Sequence, residues 1–529
     1  MKRYLLAVLS LILMLFIFVA CDTAKEELTL TVELHSETKV IHPNSKGEYS
    51  LDTPTRAGFE FVGWKTDDGK DFPASGKISE STVISAEWNI LSTSTFEQLK
   101  ERVEAGADTI LLTENIVLTD TVYVVADTTI TAQKPITLTR SEDFLGDLFV
   151  IGETSKGENV IVLTQKTASL SLKPNNTSLT IDGASIASNG TVFLVLNSST
   201  LNLYDGACIQ NHNKLGNDHL TEEKTYNVSY PVKVGGSAAI ITSGAFNMYG
   251  GVISNCNSNT EDNAASSCGG AIYNYATFTM RGGVIESCTA ARGAAIYNYR
   301  TAKIYAGTIK NNTATVYGGV MYMPNSQYTA CVIGSKGAGF AVKIIGNSAK
   351  KSGGAIFASH QSATNILGST LFDSNTSSSN GGAINVAGAL TVNYAVFTNN
   401  SATGKGGAIY AYYGDREYST RIVSIKSGVF SQNSAPRGGA IAFSGNDDEE
   451  PVKGAIGYIG NALFLNNVAY KNSSNKYGNG GAIWATLESS VTLSDEALFQ
   501  GNQAEDGSSA DVYETSGAKI TVASASNNS

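Results

Sequence analysis

The chain runs to 529 residues, with 53 Gly, 9 Pro, 16% charged and 42% hydrophobic residues. That much apolar material excludes a disordered chain, the low charge excludes a long coiled coil, and abundant Gly with little Pro excludes collagen. A net charge of −10 with no basic cluster excludes a phosphate backbone as partner, so nucleic acid is not expected. An all-β architecture with many tight turns remains, and its domain count depends on internal repeats rather than on length.

In chain order, Lys2-Arg3 precedes an apolar run from Leu5 to Ala20, interrupted only by Ser10 and closed by Cys21. The run is shorter than the ~20 residues of a spanning helix and fits an export signal. Phe18-Val19-Ala20-Cys21 resembles a bacterial lipobox, with Phe18 where Leu is usual. The resemblance implies a lipoprotein signal peptide over 1–21, lipidation of Cys21 and a tether over 22–27. An ordinary secretory signal with an incidental Cys is the alternative. Asp22 leaves the final leaflet open, and acyl chains would contribute ~0.8 kcal/mol per buried CH₂ to membrane anchoring.

Residues 28–90 read as a small β module. Leu28 to Leu34 alternates apolar and polar residues, as a half-buried strand does. Pro54-Thr55-Arg56-Ala57-Gly58-Phe59-Glu60-Phe61-Val62-Gly63-Trp64 follows, and Ala86-Glu87-Trp88 closes the segment. This pattern resembles the internalin B-repeat (Listeria–Bacteroides repeat) family, which implies a β-grasp-like module used as a spacer in exposed bacterial proteins. Phe61, Trp64 and Trp88 are read as its core, against an aromatic ligand box.

Residues 91–108 carry a capping box, Thr95 with Gln98, before Phe96, Leu99 and Val103 on one face, and Gly106 as C-cap. One short helix is predicted there, covering the end of a stack of strands that occupies 109–529. Two submotifs recur in that stack. Gly-Gly-Ala-Ile or a near relative starts at Gly269, Gly293, Gly318, Gly353, Gly381, Gly406, Gly438 and Gly480. An apolar residue three positions before Asn ends at Asn312, Asn347, Asn375, Asn400, Asn433, Asn467 and Asn502.

The offset from Asn to the next Gly-Gly is six residues at Asn312, Asn347, Asn375 and Asn400 and five at Asn433, while the period varies from 24 to 42. One corner is therefore held constant while other loops grow, which predicts a parallel β-helix of some fifteen or more rungs at ~4.8 Å each. The Asn residues are expected to form a structural ladder, and Ile272, Ile356, Ile384, Ile409, Ile441 and Ile483 an inward column. The paired tetrapeptides resemble the repeats of the chlamydial polymorphic outer-membrane proteins (GGA[ILV] and FxxN). That resemblance implies a right-handed β-helix in a surface-exposed, adhesin-like protein without catalysis or cofactor. Those proteins end in a membrane barrel, whereas this chain reads Ser524 to Ser529 at the same place, so Cys21 is the expected anchor. The implied location is the outer membrane or cell surface, with the periplasmic face as the alternative, and the implied partner is a host or bacterial surface protein or glycan.

The residue after each repeated Ile is Tyr273, Tyr297, Tyr322, Phe357, Asn385, Tyr410, Ala442 and Trp484 in turn. These point outward, and the six aromatics form a candidate contact stripe, with mutual stacking that stabilises the sheet as the alternative. Cys256 and Cys288 occupy the ladder position on adjacent rungs, ~5 Å apart at Cα, within range of a disulfide or else serving as small buried fillers. Zinc on His212, Cys256, Cys288 and Cys268 matches no zinc spacing, and the acidic run at 447–450 lacks the calcium β-roll repeat. A polysaccharide lyase or glycoside hydrolase is the other function class. Asp182 and Asp205, each before Gly-Ala, would have to stack for such chemistry.

Overall fold

The structure, a computed structural model, describes residues 27–152, 167–196, 198–214, 239–258, 267–335, 341–368, 370–413, 422–445, 454–474, 476–515 and 517–523. The leader with Cys21 and the acidic run at 447–450 lie outside the described residues. The chain divides into two compact units, Met1–Leu91 and Ser92–Ser529.

The first unit holds β1 (Leu30–Glu33), β2 (Thr38–Ile41), β3 (Glu48–Ser50), β4 (Phe59–Thr66), β5 (Asp71–Phe72), β6 (Ser75–Lys77) and β7 (Thr82–Ile90). A five-stranded sheet runs β2-β1-β7-β4-β5, with β1 parallel to β7 and the other pairs antiparallel, while β3 pairs β6 separately. Leu30 and Val32 alternate inward along β1 and join Tyr49, Leu51, Trp64, Ile78 and Ile84 in the core. Phe61 meets Trp64 and Trp88 edge-on, with centroids 5.1 and 5.5 Å away, which fixes β4 against β7 through their rings.

The second unit opens with α1 (Phe96–Glu104). Thr95 Oγ1 accepts from the Gln98 N–H at 3.3 Å and Gln98 Oε1 accepts from the Ser94 N–H at 3.0 Å, so two N-terminal donors are satisfied. Leu99 and Val103 are fully buried, and Gly106 leaves the helix at φ +80°.

Among the described residues, three sheets of 23, 13 and 11 strands follow, every pair within them parallel. A typical rung shows the order: Ala389–Thr398 on the first sheet, Ser401–Ala402 on the third, Ile409–Tyr412 on the second, then Ile422–Ser431 back on the first. This is a parallel β-helix. Among the described residues the second sheet counts thirteen stacked strands and the first sheet fifteen successive levels, from Ser92–Thr93 to Lys519–Ala523, which meets the fifteen or more rungs expected.

Each face fills the interior with one residue type. On the second sheet, Ile272, Ile296, Met321, Ile356, Ile384, Ile409, Ile441 and Ile483 stack in register, all fully buried. On the first sheet, Phe372, Phe397, Phe430, Phe464 and Phe499 stack with centroids 4.7 to 5.1 Å apart. The short strands of the third sheet turn inward mostly small side chains, such as Ala314, Ala349, Ala402 and Ala435, with the buried Lys214 as an exception. At the corner before the Ile column, Gly406 sits at φ +66°, and a Cβ on Gly407 would strike the Gly439 carbonyl of the next rung. The pair Gly-Gly meets both demands at this corner.

Candidate functional site

The second sheet carries the expected aromatic residues on its outer surface, in the register Tyr273, Tyr297, Tyr322, Phe357, Asn385, Tyr410, Ala442, Trp484. Tyr273 and Tyr297 stack at 4.7 Å and 8°, Tyr297 and Tyr322 at 5.4 Å, and Tyr322 and Phe357 at 5.4 Å and 11°. Asn385 and Ala442 then interrupt the column. The expectation of an exposed stripe needs correction. Tyr273, Tyr410 and Trp484 are only 5, 7 and 5% exposed, and Tyr297, Tyr322 and Phe357 are partly buried.

The cause is the flanking corners. Tyr275 lies 5.1 Å from Tyr273 and Tyr317 lies 4.4 Å from Phe357. Arg292 covers Tyr322 at 5.5 Å, Lys405 covers Tyr410 at 5.5 Å and Trp484 at 5.4 Å, and Arg437 lies 5.4 Å from Trp484. These cations were not singled out in the sequence reading. Their signal was present, since each stands directly before a repeated Gly: Arg292-Gly293, Lys405-Gly406, Arg437-Gly438. Burial raises the phenols of Tyr273, Tyr297 and Tyr322 above their ordinary range, so the column is neutral at physiological pH. Chemically it is a stacked, cation-flanked wall that spends most ring faces on its own neighbours.

The Asn residues stand at the corner between the first and third sheets. Nδ2 of Asn312, Asn347, Asn375, Asn400 and Asn433 donates to Oδ1 of the next Asn at 3.0 Å, and Asn467 donates to Asn502 at 2.9 Å. The same Oδ1 atoms accept the backbone N–H of the preceding rung's Asn, as from Asn375 to Asn400 at 3.0 Å. The residue before each Asn is left-handed, including Asn311 (φ 56°), Ser374 (56°), Asn399 (55°), Gln432 (56°) and Asn466 (53°). Such a backbone costs roughly 1–2 kcal/mol outside Gly, and the ladder offsets it.

Cys256 and Cys288 continue the column above Asn312, fully buried, and both are thiols rather than a disulfide. Their Sγ atoms face the carbonyls of Ser254 at 3.4 Å and Glu286 at 3.3 Å. Cys288 and burial hold the Cys256 thiol well above its ordinary range. Among the described residues, no group of three His, Cys, Asp or Glu side chains could hold a metal.

The two carboxylates that glycoside chemistry would require do not stack. The register sets Asp182 opposite Gln210, while Asp205 lies in the corner before that strand. Asp182 accepts from Gln210 Nε2 at 2.8 Å and from the Ala184 N–H at 2.7 Å, the bonding of a structural turn.

With this geometry in place, comparison with known proteins is specific in one respect. No curated protein and no solved structure matches the chain. A profile of the Chlamydia polymorphic membrane protein repeat matches residues 341–359, 369–387 and 395–412. Each matched stretch spans one Asn of the ladder and the Gly-Gly corner that follows it, so the repeat, in structural terms, is one ladder corner plus one inward Ile.

Proposed function

We propose that the chain is a lipid-anchored, surface-displayed, adhesin-like protein whose β-helix presents contact surface to a host or bacterial surface protein or glycan, without chemistry of its own. The observation that carries this reading is the profile match to polymorphic membrane protein repeats on three consecutive rungs. In that reading Cys21 carries the lipid, and residues 28–90, with their internalin B-repeat pattern, space the β-helix from the membrane. The uncovered edges of Tyr297, Tyr322 and Phe357 remain available for contact.

The test is protease shaving of intact cells, with the repeat region detected by antibody. Loss of the repeat region while a periplasmic marker survives supports display; survival of the repeat region overturns it. Metabolic labelling with a palmitate analogue, lost in Cys21→Ser, checks the anchor.

A further inference from the structure

The first sheet bends within each rung, and at that bend five successive rungs carry Lys173, Tyr204, Tyr249, Arg281 and Tyr305. Each directly follows a register-matched core residue: Leu172, Leu203, Met248, Met280 and Ile304. The side chains form one sandwich. Lys173 Nζ lies 5.3 Å over Tyr204, Tyr204 stacks on Tyr249 at 4.9 Å and 15°, and the Arg281 guanidinium lies 5.7 Å from Tyr249 and 5.8 Å from Tyr305.

Unlike the wall on the second sheet, this column faces solvent. Lys173 and Arg281 are exposed, Tyr249 is 39% exposed, and Tyr204 and Tyr305 are half-buried. Lys303, two residues before Tyr305 on the same outward side, adds a third cation. None of these three cations is in an ion pair among the described residues, although Lys100, Lys134 and Lys310 all are. Beside the column runs a polar ladder, in which Asn247 Nδ2 donates to Asn202 Oδ1 at 3.1 Å and Asn202 Nδ2 to Ser171 Oγ at 3.2 Å. Among the described residues the one carboxylate in the same bend is Asp205, whose Oδ1 lies against Gly250.

We propose that this bend is a binding surface for an acidic polysaccharide, bearing uronate or sulfate, laid along the β-helix axis. The proposal deepens the adhesin-like reading and rests on it. Three features select the ligand class. Arg281, exposed and flanked by the rings of Tyr249 and Tyr305, offers a guanidinium fork that suits a carboxylate or sulfate. The position next to Tyr305 on the following rung is Gly334, so no side chain of that position covers the far face of Tyr305 and a pyranose ring can stack there. The amides of Asn202 and Asn247 and the phenol edges suit sugar hydroxyls. Lys173 and Arg281 are three rungs apart, about 14 Å, so the cations are spread along a linear ligand rather than gathered for a single anion. Nucleic acid fits worse: most ring faces are already stacked, leaving no platform for successive bases, and three cations neutralise few phosphates.

The purified full chain would be titrated against heparin and against polygalacturonate, with dextran as neutral control and duplex DNA as a polyanion without pyranose rings. Binding to either acidic polysaccharide, weakening with salt and absent with dextran, is expected. Lys173→Gln/Arg281→Gln/Lys303→Gln should weaken it by about tenfold or more at unchanged circular dichroism. Tyr305→Leu, which keeps every charge, should also weaken it. Absence of binding to both polysaccharides at low salt, an unaffected triple variant, or equally tight DNA binding would overturn the proposal. Shaving the same cells separates the two readings: a triple variant that is still displayed but has lost no glycan affinity refutes this surface alone, whereas a repeat region inaccessible from outside refutes display itself.

Discussion

Asn400 is the sharpest place to perturb the ladder. Replacing it by Ala deletes four hydrogen bonds: its Nδ2 donations to Asn433 Oδ1 and to the Phe372 carbonyl, and those its Oδ1 accepts from the Asn375 N–H and Nδ2, each 3.0 Å. Part of the network survives, since Asn375 Nδ2 keeps the Ile344 carbonyl and Asn433 Oδ1 keeps the Asn400 N–H. The Asn375 N–H does not: it is left buried without an acceptor, at about 1–3 kcal/mol, and the remaining bonds contribute about 1 kcal/mol each. A loss of roughly 4–6 kcal/mol follows. Urea unfolding of the full chain measures it, and hydrogen exchange should show the lost protection centred on the rungs of Asn375 and Asn433, because each rung contacts only its neighbours. Asn400→Asp adds a sign test. Its carboxylate would face the Phe372 carbonyl and Asn433 Oδ1, so the folded pKa lies above the unfolded value of about 3.9. Stability of that variant is therefore greatest below about pH 4 and falls as pH rises toward the folded pKa. A loss under about 1 kcal/mol for Ala, or a flat pH profile for Asp, would refute the reasoning.

Other expectations follow from the same packing. Phe430, between Phe397 at 4.9 Å and Phe464 at 5.1 Å, should lose about 3–5 kcal/mol as Ala and roughly half of that as Leu, measured by urea midpoint. Asn385, 3% exposed and with Oδ1 unpartnered among the described residues, should gain about 1 kcal/mol as the near-isosteric Leu; a destabilised variant would show that the amide is needed. Burial pushes the thiols of Cys268 and Cys331 up to about 12 and that of Cys208 to about 11, so the unfolded chain releases these protons first. Melting temperature should then fall as pH rises from about 8.5, and a rise toward pH 10 would contradict this. With Cys256 and Cys288 as thiols, the unfolded, unreduced chain should titrate five thiols between Cys208 and Cys331; three would mean that the two bridge after export.

How far such features can be read from sequence depends on whether one residue type recurs. Asn312 to Asn502 and the Ile column repeat their identity rung after rung, and Thr95 with Gln98 is a local pattern, so all were visible without coordinates. The left-handed residue before each Asn was not, because Asn, Ser, Gln and Gly all serve there and only the backbone is common. Strand alternation placed Tyr273 and Trp484 on the outer surface correctly, yet it could not show them covered. Tyr275 lies against Tyr273, and Lys405 and Arg437 cover Trp484 from corners that are close in space and tens of residues away in sequence. The column at Lys173, Tyr204, Tyr249, Arg281 and Tyr305 escaped for a further reason. Its members differ in type and stand 24 to 45 residues apart, so only the register aligns them.

The corners also differ in what they let vary, and this bears on display. At the Asn corner two residues always separate the flanking strands, from Gln210 to Asn213 through Gln500 to Gln503. An added residue there would pull one Asn out of line with both neighbours and break bonds on two rungs at once. At the Gly-Gly corner the connection ranges, among fully described rungs, from three residues, between Arg292 and Ile296, to six, between Ala402 and Ile409. Side-chain bonds at the other corners are local, such as Asn274 Nδ2 to Asn298 Oδ1 at 2.7 Å and the Lys405 N–H to Asn380 Oδ1 at 3.0 Å, so a longer loop beyond them costs only slowly growing closure entropy. A solenoid that confines its longest side-chain ladder to one edge thus leaves its other edges freer to change in length and sequence without loss of the stack. That division of labour suits a surface-displayed protein, in which a constant frame carries contacts that can diversify.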